Sequence, residues 1–245
     1  MYGTTAYNRI VCASSPSGAR LPKTAVGRGL SERPLCDALW GLYFFCELGN
    51  TVHMKYDVIL AGVGGQGVLS VASIIAHAAL DEGLQVRQSE VHGMAQRGGA
   101  VLAHLRIADK EIAGDLVPRG GADLVISMEP LESLRYVSWL KSEGVLVTAA
   151  EPFVNIDNYP NIEEVTSSIK RLPRWRLVQA ASLAKEAGLA KTVNTVMVGA
   201  ASLFLPIKAH SLEKTIGEVF SKKDTAALAA NAKAFKLGQA SAKVG

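Results

Sequence analysis

The sequence predicts an α/β fold: a Rossmann-like open, mostly parallel sheet with an inserted β-hairpin and a helical C-terminal part. Three observations predict it. First, "YDVILAGVGGQGVLSVASIIAHAA" (56–79) runs from an apolar strand through glycines into an apolar helix. Second, strand-like and helix-like stretches then alternate at the spacing of parallel strand–helix units. Third, everything after about residue 192 has helical periodicity.

Composition bounds the rest. The chain has 245 residues, 49% of them hydrophobic and 6% aromatic, enough to bury a real core. A net charge of +4 without a basic run argues against nucleic acid as a partner. No apolar run reaches the ~18 residues of a membrane span, so no membrane partner is expected. Cys12, Cys36 and Cys46 are the three cysteines, and none follows them. An all-cysteine iron–sulfur site in the main body is therefore excluded, and the cysteine usage is that of a cytoplasmic protein.

Residues 1–53 differ from the rest. They hold five basic and three acidic residues, with no acid before Glu32. "ASSPSGARLPKTAVGRGLSERP" is turn-rich and aperiodic. The acid-poor, Ser-containing start has features of a transit peptide, but its glycines and prolines oppose an amphipathic helix. The native start is expected at Met54, directly before the first strand. Residues 1–53 then read as a mis-assigned extension or a disordered arm, and 54–245 as the domain.

The elements follow in order. "KYDVILAG" is a buried strand, 66–82 a helix closed by Gly83, and "LQVRQS" (84–89) a second strand, together the size of a βαβ crossover. "AVLAHLRIA" (100–108) alternates with period two. With "IAGDLV" (112–117) it is expected to form the inserted antiparallel hairpin. Strands at 122–129 and 144–150 flank a helix over 130–142. A helix at 162–171 leads to a strand near "RWRLVQA" and a helix in "ASLAKEAG". "TVNTVMVGAASLF", "SLEKTIGEVF" and "DTAALAANAKAFKLGQA" are helical, with Ser211 as an expected N-cap.

Two loops carry the candidate chemistry. Gly62, Gly64 and Gly67 match the dinucleotide fingerprint, and with Gly65 and Gln66 they form a turn that ends a strand and opens a helix. Backbone N–H groups at such a helix start attract phosphate. The plainer alternative is that the glycines only allow close strand–helix packing, the role expected of Gly67. An NAD site also needs an acid at the end of the second strand. Glu90, 23 residues after Gly67, is the sole candidate, and the unusual loop after it argues against that role. The loop "SEVHGMAQRGGAV" (89–101) brings Arg97, Gly98 and Gly99 beside the glycine turn. Arg97 suits bidentate capture of a phosphate or carboxylate, against a plainer reading as a salt-bridging arginine. His92, His77, His104 and His210 are read as structural, and no nucleophile with a paired base is evident. "AGDLV" has part of a GDG motif but lacks what a thiamine diphosphate site needs.

At these loops the sequence resembles the gamma-type domain of the 2-oxoacid:ferredoxin oxidoreductases, and most of all their indolepyruvate-oxidising branch. The resemblance rests on "GVGGQGV" (62–68), "EVHGMAQRGG" (90–99), "ADLVISMEPLESLR" (122–135), "NTVMVGA" (194–200) and "NAKAFKLG" (231–238), and covers Met54 to about Ala242. It implies a subunit, inactive alone, of a complex that oxidatively decarboxylates aryl pyruvates such as indolepyruvate to aryl-acetyl coenzyme A. It implies a larger alpha subunit as partner, carrying thiamine diphosphate, Mg and [4Fe-4S] clusters, with ferredoxin as electron acceptor. Coenzyme A is the ligand it implies for Gly64, Gly65, Gln66 and Arg97. Two other classes stay open: a free-standing NAD- or FAD-dependent enzyme, and a purely structural subunit without ligand.

A chain starting at Met54 is expected to melt at the same temperature as the full chain. A fall of several degrees, corresponding to about 1 kcal/mol or more at this size, would show that residues 1–53 pack on the domain.

Overall fold

The computed structural model describes residues 53–92, 98–154, 156–221 and 224–243, with the His92 side chain excepted. The N-terminal extension therefore lies outside the described residues except for His53, as do Arg97, the rest of residues 93–97, and Asn155. Six strands form one sheet: β1 (Lys55–Val63), β2 (Gln85–His92), β3 (Ala100–Ala108), β4 (Ala122–Ser127), β5 (Leu140–Ala149) and β6 (Trp175–Val178). Their order is β2-β3-β1-β4-β5-β6. Only β3 is antiparallel to its neighbours β1 and β2; the β1–β4, β4–β5 and β5–β6 pairs are all parallel. The expected α/β architecture with a mostly parallel sheet is present.

The hairpin is made of different strands from those expected. It joins β2 to β3, and 112–117 is not a strand. The reason is that both edges of β3 are already paired, so no ladder beside it is open to "IAGDLV". Instead, side chains hold that segment. Arg106 Nη1 donates to the carbonyls of Gly114 (2.7 Å) and Leu116 (3.2 Å), while its Nε donates to buried Asp57 at 2.9 Å. The Val117 N–H donates to Nδ1 of buried His104 at 3.2 Å. Burial, and then the Arg106 charge, hold the His104 pKa below the ordinary imidazole value. Nδ1 as acceptor matches that neutral state. The βαβ expectation changes too: β1 and β2 run parallel, but β3 lies between them.

Helices cover both faces. Alternate β1 residues divide between the layers: Val58 and Leu60 face one core, Ile59 the other. The first layer holds α1 (Val68–Asp81), α4 (Ala180–Glu186), α5 (Val193–Ala201), α6 (Ala209–Phe220) and α7 (Thr225–Lys243). The second holds α2 (Pro130–Arg135) and α3 (Ile162–Lys170). Gly83 ends α1 in the left-handed region (φ 79°), and its N–H and that of Leu84 bond back to Leu80 and Ala79. The helix expected over 130–142 stops at Arg135; a 3-10 turn at Val137–Trp139 follows, and Leu140 already belongs to β5. Ser211 does not cap α6. The helix begins earlier, and its N-cap Lys208 donates its N–H to Glu82 Oε1, at the end of α1, at 2.8 Å.

The C-terminal helices α5 and α7 lie side by side at very short range. A Cβ on Gly199 would sit 2.1 Å from the Phe235 carbonyl oxygen, and one on Gly238 would sit 2.0 Å from that of Val196. Buried Thr195 Oγ1 donates to Asn231 Oδ1 at 2.6 Å across the same seam. Gly199→Ala and Gly238→Ala are each expected to destabilise the domain by about 1–3 kcal/mol, through forced separation of the helices. Thermal denaturation checks this; a melting temperature within a degree of wild type for both would show that the seam yields.

Candidate functional site

The site forms where β1 ends. The pairing of β1 with β3 continues past Val63↔Ala100 by one step. Gly64 N–H donates to Gly99 O at 2.8 Å, and Gly98 N–H to Gly64 O at 3.3 Å. Thus Gly64, Gly98 and Gly99, selected from two separate loops of the sequence, are in direct contact. Gly65 (φ 100°), Gly67 (φ 77°) and Gly98 (φ 77°) occupy the left-handed region, which glycine enters without strain. Gly62 is buried with no room for a side chain: a Cβ there would meet Val68 Cγ2 at 2.8 Å.

Gln66 is held at both ends of its carboxamide. Its Oε1 accepts the Val63 N–H at 2.8 Å and its Nε2 donates to Met128 O at 3.2 Å. The side chain therefore braces the turn against β4 rather than pointing at a ligand. Gly67 is the N-cap of α1 and offers no side-chain cap. Its carbonyl accepts from Ser70 and Val71. Among the described residues, the N–H groups of Gly65, Gly67, Val68 and Leu69 meet no protein acceptor. These four residues line an open cavity of about 280 Å³ together with Val63, Gly64 and Val101. Aliphatic walls with several free amides at a helix start suit a phosphate-bearing ligand. A larger hollow of about 480 Å³, at Gly188, Leu189, Phe220 and the start of α7, contains none of the residues singled out from the sequence. Among the described residues no group of three His, Cys, Asp or Glu side chains could hold a metal ion.

Sequence reasoning missed the residues that back this turn. Glu129 directly follows Met128, the residue that anchors Gln66, and is 1% exposed. Its Oε2 accepts the Glu132 N–H at 2.7 Å, which caps α2, and its Oε1 accepts the Tyr159 hydroxyl. Burial, then that hydrogen bond, raise the Tyr159 pKa. The signal was present in "EPLE": an acid followed by Pro at the first helical position. Asn194 at the start of α5 is the other missed residue. Its Nδ2 donates to Gly67 O at 3.3 Å across 127 positions, which no local pattern reveals. His77, bonded to the Ser73 carbonyl at 2.7 Å, His104, and His210, beside Ser211, all make contacts of a structural kind. Glu90 is on β2, opposite Ala103 of β3, rather than in a loop.

Glu132 carries a proton-linked consequence. Burial is the main reason its pKa lies above its ordinary value of 4.5, with Arg135 opposing the shift and Glu129 adding to it. Its Oε2 is buried without a hydrogen-bond partner. A raised folded-state pKa favours folding below the unfolded pKa, and that contribution is lost as pH rises through the folded value. Relative to wild type, Glu132→Gln is therefore expected to gain melting temperature as pH is raised from about 5 to 8. A difference independent of pH would contradict the shift.

Residues 57–241 match the pyruvate ferredoxin/flavodoxin oxidoreductase family. The chain is 37% identical over 199 residues to "Indolepyruvate oxidoreductase subunit IorB" of Pyrococcus horikoshii, covering 77% of this chain and 96% of that one. It is 35% identical to the protein of that name from Thermococcus kodakarensis, with the same coverages. Among solved structures it resembles the gamma subunit of a keto/oxoacid ferredoxin oxidoreductase from Geobacter sulfurreducens, with TM-score 0.58, 26% identity, and coverage of 78% and 99%. The 2-oxoglutarate:ferredoxin oxidoreductase from Magnetococcus marinus, solved with 2-oxoglutarate, coenzyme A and succinyl-CoA bound, shares the fold with TM-score 0.63 and 23% identity. There, 77% of this chain spans 31% of that longer chain. By the family match across residues 57–241 and the relatives at 35–37% identity, the chain belongs to the pyruvate ferredoxin/flavodoxin oxidoreductase family.

Proposed function

We propose that this chain is a subunit of a complex that oxidatively decarboxylates aryl pyruvates such as indolepyruvate to aryl-acetyl coenzyme A, with ferredoxin as acceptor. Residues 54–245 are its family domain. The observation that carries this reading is the likeness to the Pyrococcus horikoshii subunit over 96% of that protein's length. The partner is a larger alpha subunit that holds thiamine diphosphate, Mg and [4Fe-4S] clusters. No residue of this chain is assigned to bond making.

Its own contribution is to bind and exclude water. The free N–H groups of Gly65, Gly67, Val68 and Leu69 are oriented to hold the diphosphate of coenzyme A, whose thiol accepts the acyl group. Val63, Val68, Leu69 and Val101 wall that diphosphate off, which strengthens each hydrogen bond by lowering the local dielectric. Arg97 belongs to the segment between His92 and Gly98, and its guanidinium adds a charge-assisted contact to the same anion. The geometry does not favour NAD. β3 separates β2, and with it Glu90, from the glycine turn, so an acid at the end of β2 is about one strand spacing (~4.8 Å) farther from the turn than in an adjacent pair.

Co-expression with the alpha subunit and purification of the complex tests the proposal. Indolepyruvate-dependent, coenzyme A-dependent reduction of ferredoxin is expected from the complex, and none from this chain alone. Turnover by the chain alone would contradict the subunit reading. Within the complex, Arg97→Ala should leave melting within about 0.5 kcal/mol of wild type. It should raise the apparent Michaelis constant for coenzyme A by removing a contact worth roughly 1.5–3 kcal/mol. Arg97→Lys should restore it in part, since the charge remains and the planar fork is lost. Wild-type kinetics for Arg97→Ala would remove Arg97 from the site.

A further inference from the structure

Asn194 stands apart in the contact it makes. It is the second residue of α5, in the C-terminal helical layer, yet its carboxamide occupies the space that a side chain on Gly67 would need. A Cβ at Gly67 would lie 2.2 Å from Asn194 Nδ2 and 3.2 Å from its Cγ. The N-cap of α1 is thus filled from outside by a side chain 127 positions away in the sequence. With that bond the Gly67 carbonyl receives three donors: Asn194 Nδ2 at 3.3 Å, Ser70 N–H at 3.0 Å and Val71 N–H at 3.3 Å.

The peptide plane converts this into an effect on the cavity. The Gly67 carbonyl and the Val68 N–H belong to one planar unit and point in opposite directions. Fixing the carbonyl toward α1 and Asn194 therefore aims the Val68 N–H outward, past the start of the helix. Val68 lines the cavity at the turn. Among the described residues no other side chain holds this peptide, since Gly67 has no cap of its own and Gln66 is committed to Val63 and Met128. Asn194 is in turn placed by the α5–α7 seam: the neighbouring Thr195 bonds to Asn231, and Gly199 and Gly238 set the approach of the two helices.

We propose that Asn194 is a positioning residue of the glycine turn, orienting the Gly67–Val68 peptide so that the Val68 N–H faces a bound anion. This rests on the reading of the turn as the coenzyme A diphosphate site. It also gives the C-terminal helix pair a functional role, as the frame that holds a ligand-facing peptide across the molecule.

The test compares Asn194→Ala and Asn194→Asp with wild type in the co-purified complex. Asn194→Ala removes the donor. Asn194→Asp keeps the shape and places a negative charge at the start of α1, where the helix dipole tolerates it and a bound phosphate does not. The expected result is an apparent Michaelis constant for coenzyme A raised about tenfold by Asn194→Ala, and further by Asn194→Asp, with the turnover number little changed. Hydrogen exchange in residues 64–71 of the complex should be faster in Asn194→Ala than in wild type. Constants within about twofold of wild type in both variants would reduce Asn194 to a packing residue and overturn the proposal. An aspartate no worse than alanine would also overturn it, because no anion would then face the turn. If the wild-type complex shows no dependence on coenzyme A, the functional reading itself fails. The exchange measurement then decides the positioning claim alone: acceleration at 64–71 upholds it and unchanged exchange refutes it.

Discussion

The pairing of β3 with both β1 and β2 is the constraint on which the rest depends. One antiparallel strand occupies the ladder that a doubly wound sheet would give to the strand after α1. Its register with β1 sets Ala100 against Val63, so the next step sets Gly99 against Gly64. The site is therefore an extension of the sheet. The end of β1 cannot shift without breaking the Gly64–Gly99 and Gly98–Gly64 hydrogen bonds, and the glycine turn inherits that rigidity. Glycine is required there because the chain must enter the left-handed region at Gly65, Gly67 and Gly98 within a few ångströms.

Around this fixed edge each supporting group comes from a different element. Gln66 ties the turn to β4 through Met128. Glu129, the next residue, ties β4 to α2 and to Tyr159. Asn194 ties the turn to α5, and Thr195 beside it ties α5 to α7 through Asn231. Each tie is made by a partly or fully buried polar group with its partner in place, the arrangement in which polar groups add specificity rather than cost. What faces outward is mostly backbone amide and aliphatic side chain. That combination suits an anion and would shield it, and on the proposed reading a reacting acid, base or nucleophile comes from the partner that faces it.

Much of this was legible in the sequence. The strand–turn–helix around Gly62–Gly67, the Gly83 cap, the parallel strands and the helical C-terminal part rest on local signals of periodicity and turn chemistry, and the structure carries them. The misread elements were those decided by partners distant in sequence. "IAGDLV" has the composition of a strand, but β3 had no free edge for it, and Arg106 and His104 took up its backbone groups instead. Ser211 has the chemistry of a cap, but Glu82 caps that helix from the end of α1. Glycines 199 and 238 gave no local sign of their role, because it lies in a helix crossing. Asn194 was invisible for the same reason, although it sits inside one of the motifs that carried the family resemblance.

The decisive measurement is a structure of the assembled complex with coenzyme A bound. Diphosphate oxygens are expected within hydrogen-bonding distance, about 2.7–3.2 Å, of the N–H groups of Gly65, Val68 and Leu69, with Asn194 still on the Gly67 carbonyl. Coenzyme A held wholly by the partner, with the glycine turn empty, would contradict this assignment.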